Sequence, residues 1–107
     1  MAKLRLALQA QVDISEVRAY TEQKFGALKL QEYDELIESA LEVLAENPRI
    51  GRQRPEIRSG AWTYHISKPG KKARHLFIYR INNDSIVEVA RFLHDSMDLV
   101  RHLPESF

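Results

Sequence analysis

The sequence contains no cysteine and only one tryptophan among its 107 residues. The absence of cysteine excludes disulfides and thiolate metal sites, and it favours a cytoplasmic protein. No apolar run approaches the roughly 20 residues that span a bilayer, and the first residues lack the continuous apolar stretch of a signal peptide. The four histidines lack the carboxylate-backed spacing of a metal site. We therefore expect no membrane segment, no metal and no cofactor.

The residues that are present indicate one small globular domain over positions 1–107, with 44% apolar and 29% charged residues. The net charge of +1 hides a division along the chain. Residues 1–48 carry five basic and nine acidic side chains, whereas residues 49–107 carry eleven basic and six acidic ones. This division predicts a basic face, which would suit nucleic acid or an acidic protein partner equally well.

The stretch from Ala73 to His94 has the clearest β pattern. Two runs rich in β-branched and aromatic residues flank residues 81–85, whose Asn and Asp side chains favour a tight turn, and this predicts a β-hairpin. Both runs are apolar on both faces, which is typical of central strands that are covered from two sides. We expect helices on one face, while the pattern leaves open whether this chain covers the other.

The residues before this hairpin predict one strand and then a helix. Residues 3–8 alternate between polar and apolar, as an edge strand does. The helix is expected to begin by about residues 10–12 and to end at Gly26. Asp13 and Glu16 resemble a capping box, and the alternative is that Asp13 already lies inside the first turn, where a carboxylate suits the helix dipole. Its predicted apolar stripe consists of Ile14, Val17, Thr21 and Phe25.

A second helix is predicted because apolar residues recur at three- and four-residue steps up to Asn47-Pro48. An arginine-rich loop over residues 48–60 follows, then a strand over residues 61–67 and a basic turn that contains Pro69-Gly70. A short helix after His94 is expected to end at Pro104. The predicted order is β-α-α-β-β-β with a short C-terminal helix, an α+β fold in which an antiparallel helical hairpin packs on a mostly antiparallel four-stranded sheet.

Four fragments of the sequence, in this order, resemble the ParE branch of the RelE/ParE toxin superfamily of bacterial toxin–antitoxin modules. They are Asp13-Ile14 with Val17, Tyr20 and Phe25-Gly26; residues 44–52; residues 75–80; and residues 86–94 with Met97-Asp98. The resemblance covers nearly the whole chain and implies the RelE/ParE-like fold.

The resemblance also implies a function. It implies the toxin of a type II module, of the kind that serves plasmid stabilisation, held inactive by a ParD-like antitoxin. The C-terminal segment of that antitoxin is disordered when free and folds onto the toxin. The usual target of this branch is DNA gyrase, inhibited by protein contact and not by covalent chemistry. On this interpretation the protein is not an enzyme, and no sequence-specific binding of nucleic acid is expected.

The alternative is a RelE-like endoribonuclease, which cuts mRNA on the ribosome and needs a base, an acid and cations around the phosphate. The candidates for these roles are Arg80, Arg91 and His94. Nuclease relatives commonly place an arginine three residues before Tyr79, where this chain has Leu76. Asp95 and Asp98 would oppose an RNA phosphate nearby. We therefore favour the inhibitor.

The candidate contact residues for the antitoxin or the target are mostly cationic. The loop arginines could equally form a solvated surface. Arg80 and Arg91 lie among core residues and need a partner, either an internal ion pair with Glu88 or Asp98 or the acidic residues of an antitoxin. The complete set is Arg52, Arg54, Arg58, Arg74, Arg80, Arg91, His94, Met97, Leu99 and Leu103.

Overall fold

The computed structural model describes residues 3–68 and 71–103. In chain order the elements are β1 (Leu4–Leu6), α1 (Leu8–Phe25), α2 (Ala27–Glu46), a 3-10 turn (Pro48–Ile50), β2 (Arg52–Gln53), β3 (Trp62–Lys68), β4 (Lys71–Ile81), β5 (Val87–His94) and a second 3-10 turn (Val100–His102). The predicted turn at Pro69-Gly70 and the predicted helix end at Pro104 lie outside the described residues.

The strands form one sheet in the order β1-β5-β4-β3-β2. β1 is parallel to β5, and the other pairs are antiparallel. The predicted α+β fold and the edge position of the first strand are confirmed. The sheet has five strands and not four, because Arg52 and Gln53 in the predicted loop pair with Thr63 and Trp62.

The hairpin between β4 and β5 turns as predicted. The Asn82 side chain accepts hydrogen bonds from the backbone N–H groups of Asp84 and Ile86, at 2.9 and 3.0 Å. Ser85 has a φ of 61°, a left-handed conformation that few residues other than glycine adopt. The turn is therefore held by local bonds of the kind that Asn supplies.

The start of α1 differs from the prediction. The helix begins at Leu8, with Ala7 at the N-cap and no side-chain cap, because the backbone of Ala7 bonds to Val89 and β1 runs almost directly into α1. The capping box was therefore wrong, and Asp13 lies buried in the second turn. The predicted stripe holds for Ile14, Val17 and Thr21. The prediction is wrong for Phe25 at the end of the stripe, because this residue is 64% exposed.

The helical hairpin covers one face of the sheet and forms the main core. Phe77, Tyr79 and Phe92 from the central strands are almost fully buried there against Leu44 and its neighbours on α2. Trp62, Tyr64 and Ile66 of β3 join this core on one side, as their alternation predicted. Within the described residues, no helix is both long and apolar enough to cross a membrane.

The second face of the sheet is covered by the chain itself. Its apolar half carries Leu76, Ile78, Ala90 and Leu93, and the cover consists of Ile57, Leu99 and Leu103. The other half carries an ion-pair ladder across three strands, in which Arg5 and Arg80 both contact Glu88, at 3.3 and 2.7 Å. The sequence left open whether this chain or a partner covers the second face. The structure shows that this chain covers its apolar half.

Candidate functional site

A groove of about 410 Å³ runs between α1 and the ends of β4 and β5. It brings together residues from three separate parts of the chain, because β5 lies next to α1 in the fold. Its lining is Asp13, Glu16, Val17, Tyr20, His75, Arg91, Phe92, Leu93, His94 and Met97. Three of the predicted site residues, Arg91, His94 and Met97, meet here.

One wall of the groove is an ion pair between α1 and β5. The Arg91 guanidinium donates to both Asp13 oxygens, at 2.7 and 2.9 Å, and a third N–H of the same group donates to the His102 carbonyl. Asp13 also accepts the backbone N–H of Phe92 at 3.0 Å, beyond the point where β1 stops pairing with β5. Arg91 therefore ties α1, β5 and the C-terminal turn together.

The ionised form of Asp13 is favoured by this arrangement. Burial raises the pKa of its carboxyl, but the hydrogen bonds from Arg91, Phe92 and Gln9 outweigh burial and hold the pKa below its ordinary value. The Asp13 side chain is 6% exposed and that of Arg91 is 15% exposed. Because the pair is bidentate and nearly dry, Arg91 has little capacity left for a phosphate or an incoming carboxylate.

The floor of the groove contains a neutral histidine. His75 Nδ1 lies 2.6 Å from the Tyr33 hydroxyl, and its ring stacks on Phe92 with centroids 5.3 Å apart. Burial lowers the pKa of His75 to about 4, with a further contribution from the charge of His94 and an opposing one from Asp95. At neutral pH the ring is therefore uncharged and packs as part of the core.

The rim of the groove is held by hydrogen bonds of His94 and Asp95. His94 Nδ1 accepts the Ser96 N–H at 3.1 Å and lies 2.7 Å from the Ser96 hydroxyl. Asp95 binds Arg74 at 2.7 Å and His65 at 3.1 Å, and the hydrogen bond from Arg74 lowers the pKa of Asp95. These contacts fix the rim, and Arg74 is part of them.

The remaining predicted site residues lie elsewhere. Arg80 belongs to the ion-pair ladder with Glu88, one of the two internal partners that the sequence suggested, whereas the partner of Arg91 is Asp13 and not Asp98. Arg52 and Arg54 line a second groove beside β2 and β3. Arg58 lies in the loop before β3, and Leu99 and Leu103 are buried on the second face.

The sequence reasoning missed an apolar strip on the outer side of α1 and at the tip of the helical hairpin. Its members are Leu8, Val12, Tyr20, Phe25 and Leu28, of which Leu28 is 84% exposed. Tyr20 and Phe25 make an edge-to-face contact with ring centroids 6.4 Å apart. The available signal was the four-residue step from Leu8 to Val12 and the eight-residue step from Val12 to Tyr20, since such steps mark a second apolar row on the helix.

The groove can bind apolar protein side chains more readily than a nucleic acid. Of the described residues that line it, Arg91 is the only lysine or arginine and it is neutralised by Asp13, while Glu16 adds a further carboxylate. Negative charge in such a place opposes phosphate. Among the described residues, no cluster of three or more His, Asp or Glu side chains could hold a metal ion.

Comparison with known proteins gives consistent results. The family model described as the ParE toxin of the type II toxin–antitoxin system parDE matches residues 4–99. Toxin ParE1 of Caulobacter vibrioides is 30% identical over 103 residues, which cover 96% of this chain and 99% of that protein. Toxin ParE1 of Mycobacterium tuberculosis is 33% identical over 98 residues, covering 92% of this chain and 94% of that one.

A solved structure shares the fold. A chain of the chromosomal ParDE toxin–antitoxin system from P. aeruginosa superposes with a TM-score of 0.72, over 88% of this chain and 96% of the other. The two sequences are 16% identical, so this likeness concerns the architecture alone.

Proposed function

Because the chain belongs to the ParE toxin family of type II toxin–antitoxin systems, we propose that it is the toxin of such a module, inhibits DNA gyrase by binding it, and is neutralised in the cytoplasm by a ParD-like antitoxin. The gyrase target comes from the family resemblance. The proposal of a protein ligand is supported by the groove beside α1, whose single arginine is committed to Asp13.

The antitoxin is proposed to lay an amphipathic helix along the groove and the outer strip of α1. Val17, Tyr20 and Met97 offer an apolar lining there, and Tyr20 is 56% exposed. Rows of apolar side chains on a helix are the usual partners of such grooves, because burial of apolar area supplies most of the association free energy. Tyr20 is the expected anchor, since tyrosine is one of the residue types enriched among those that dominate binding.

The target is tested by a supercoiling assay with purified gyrase. We expect supercoiling to fall as the toxin is added in excess over gyrase, and to recover when the antitoxin encoded beside the toxin gene is added in equimolar amount. Supercoiling that is unchanged by excess folded toxin would exclude gyrase as the target while leaving the family assignment in place.

The antitoxin site is tested by calorimetric titration of the Tyr20→Ala variant with the same antitoxin. We expect the Kd to rise by about tenfold, as for an interface anchor that is truncated. Val100→Ala is the matched control, because Val100 is 48% exposed and does not line the groove. Equal Kd values for the two variants would place the antitoxin elsewhere.

One observation favours the endoribonuclease alternative. His94 lies on the rim of the groove, where its side chain could reach a ligand. The His94→Ala variant tests it directly. We expect this variant to stay folded and to keep full toxicity in cells, because the contacts of the His94 side chain with described residues are with Ser96, Asp95 and the His75 ring. Loss of toxicity with an unchanged fold, together with cleavage of mRNA on ribosomes by the wild type, would favour the nuclease.

A further inference from the structure

The arginine-rich segment over residues 48–54 has a fixed backbone. The Pro48 carbonyl accepts a hydrogen bond from the Tyr79 hydroxyl at 2.7 Å, and Arg52 pairs with Thr63 on β3. The segment is therefore anchored to the sheet on both sides of Gly51. A surface that is fixed before its partner arrives loses little conformational freedom on association, which favours binding.

Two arginines of this segment have no bonded partner. Arg49 and Arg52 are exposed, and in the described part of the chain neither side chain forms a hydrogen bond or an ion pair. Arg54 differs, because it is bonded to Glu56 at 2.6 Å, and Glu56 acts on Arg52 only through space. The guanidinium groups of Arg49 and Arg52 are therefore able to bind a carboxylate in the bidentate manner.

An exposed aliphatic side chain lies between these two arginines in the sequence. Ile50 is 43% exposed. It lines a groove of about 380 Å³ together with Gly51, Arg52, Arg54, Thr63, Tyr64, His65 and Ser67. None of these lining residues carries a carboxylate. The surface therefore combines an apolar side chain with positive charge, and both arginine and apolar area are typical of protein interfaces.

This surface differs in character from the groove beside α1. That groove contains the carboxylates of Asp13 and Glu16, and Asp13 neutralises its Arg91. The two linings share no residue, and β2 lies at the edge of the sheet opposite β1, the strand that leads into α1. A ligand that fits the apolar groove beside α1 does not use this surface, which leaves it for a second partner.

We propose that residues 49–54, called here the basic platform, are the surface through which the toxin contacts its protein target, and that they bind an acidic segment of DNA gyrase. Arg49 and Arg52 would each bind a carboxylate, and Ile50 would pack against an apolar side chain between them. The proposal rests on the proposed function, because it assigns the contact surface for the same target. Complementary charge at such a surface speeds association and selects the partner.

Two other occupants fit the basic platform less well. A second copy of this chain, packed about a twofold axis, would bring Arg49 and Arg52 against the same arginines of its partner. A nucleic acid would pair with the arginines, but its bases stack on aromatic faces, and Ile50 offers none. An acidic protein segment that also carries an apolar side chain satisfies both the charge and the exposed isoleucine.

The charge is tested by the Arg52→Glu variant in the supercoiling assay with purified gyrase, with Arg101→Glu as the matched control. Both variants replace an exposed arginine and change the net charge equally, but Arg101 lines neither groove. We expect the toxin concentration that halves supercoiling to rise about tenfold for Arg52→Glu and less than about twofold for Arg101→Glu, because only the first reversal opposes the acidic segment. Equal values for the two variants overturn the proposal.

The apolar contact is tested by Ile50→Ala, with Val100→Ala as the matched control. These side chains are 43% and 48% exposed, and each lies in a 3-10 turn. We expect the same toxin concentration to rise about fivefold for Ile50→Ala and less than about twofold for Val100→Ala, because only the first removes apolar area from the contact. Circular dichroism and the urea midpoint establish that all four variants are folded.

Titrations of Arg52→Glu with the antitoxin and with a labelled single-stranded RNA identify a different occupant. If this variant binds either ligand more weakly than the wild type but inhibits gyrase equally well, the basic platform belongs to that ligand and the proposal is overturned. A dimer of the free toxin that Arg52→Glu dissociates overturns it as well. A wild type that leaves supercoiling unchanged overturns the proposed target together with this proposal. A wild type that inhibits gyrase, with all four variants equally potent, overturns only this one.

Discussion

The two faces of the sheet are both buried, but their covers differ in kind. One face lies under α1 and α2, helices of 18 and 20 residues. The apolar half of the other lies under Ile57 from a loop and under Leu99 and Leu103, which flank a 3-10 turn of three residues. A side chain can therefore be fully buried under a cover that opens easily. A cover held by a few contacts needs little free energy to open locally.

The largest expected difference between the two faces is in their response to truncation. Phe92→Ala should lower the free energy of unfolding by about 4 kcal/mol, because Phe92 is 1% exposed under the helices. Leu99→Ala should cost about 2 kcal/mol, because Leu99 belongs to the thin cover, which can collapse around the shortened side chain. Urea denaturation measures both. Equal losses would show that the second face is as tightly packed as the first.

The next effect concerns the bond that joins the two covers. Asp13→Ala should lower the free energy of unfolding by about 3 kcal/mol, because it leaves the mostly buried Arg91 without its carboxylate partner and the Phe92 N–H unsatisfied. Amide exchange over residues 99–103 should also speed up, since Arg91 holds the His102 carbonyl.

Asp34→Ala is the matched control for that variant. It removes the partner of Arg18 from an exposed pair whose side chains are 47% and 39% accessible, so urea denaturation should give a value close to that of the wild type. If the two variants lose the same stability, the buried pair has no special role.

A smaller effect is expected at Gly51, on the helix-covered side of the comparison. A Cβ there would lie 2.3 Å from the Tyr79 hydroxyl oxygen, which donates to the Pro48 carbonyl at 2.7 Å. Gly51→Ala should therefore cost about 1–2 kcal/mol through displacement of Tyr79 or of β2. Gly60→Ala is not a neutral comparison because its φ is +82°, so Ser59→Ala serves as the control in thermal unfolding. A Tm unchanged in Gly51→Ala would contradict the close contact.

The smallest effect is a pH dependence that belongs to the helix-covered face. His75 faces Tyr33, Phe92 and His94, and its pKa is lowered from 6.5 to about 4, first by burial. Between these values the unfolded chain binds the proton and the folded chain does not, so stability is full above pH 6.5 and falls as the pH is lowered toward 4. We expect a loss of about 1 kcal/mol between pH 7 and pH 5, allowing for solvent screening of this partly exposed ring.

His75→Gln should flatten that slope, as measured by urea denaturation at each pH. The lowered pKa of Asp13 affects stability in a different pH range. The stability that Asp13 contributes is present above its ordinary pKa of 3.8 and is lost only as the pH falls further. A slope between pH 7 and pH 5 that persists in His75→Gln would assign the dependence to another group.

Much of the fold could be predicted because its signals are local. The alternation of residues 3–8, the three- and four-residue steps of α2 and the Asn-Asp turn after β4 each depend on residues close in sequence. The start of α1 was missed because its N-terminus has no capping side chain and is placed instead by the bond from Ala7 to Val89.

The candidate site was harder to predict because its parts are distant in sequence. The sequence suggested that Arg91 needed a partner, but Asp13 is 78 residues away and no spacing rule connects them. The outer apolar strip of α1 was missed because Leu8 was assigned to the first strand and the helix was expected to begin only at residues 10–12, whereas it begins at Leu8.

The sequence by itself determined the order of helices and strands, the hairpin turn and the likeness to ParE toxins, because periodicity and turn chemistry act over a few residues. Only the tertiary structure decided that Leu99 and Leu103 close the second face, that Asp13 neutralises Arg91, and that Arg52 and Gln53 pair with β3 as a fifth strand. These outcomes depend on which distant segments meet, and that choice is made by packing of the whole chain and not by any segment alone.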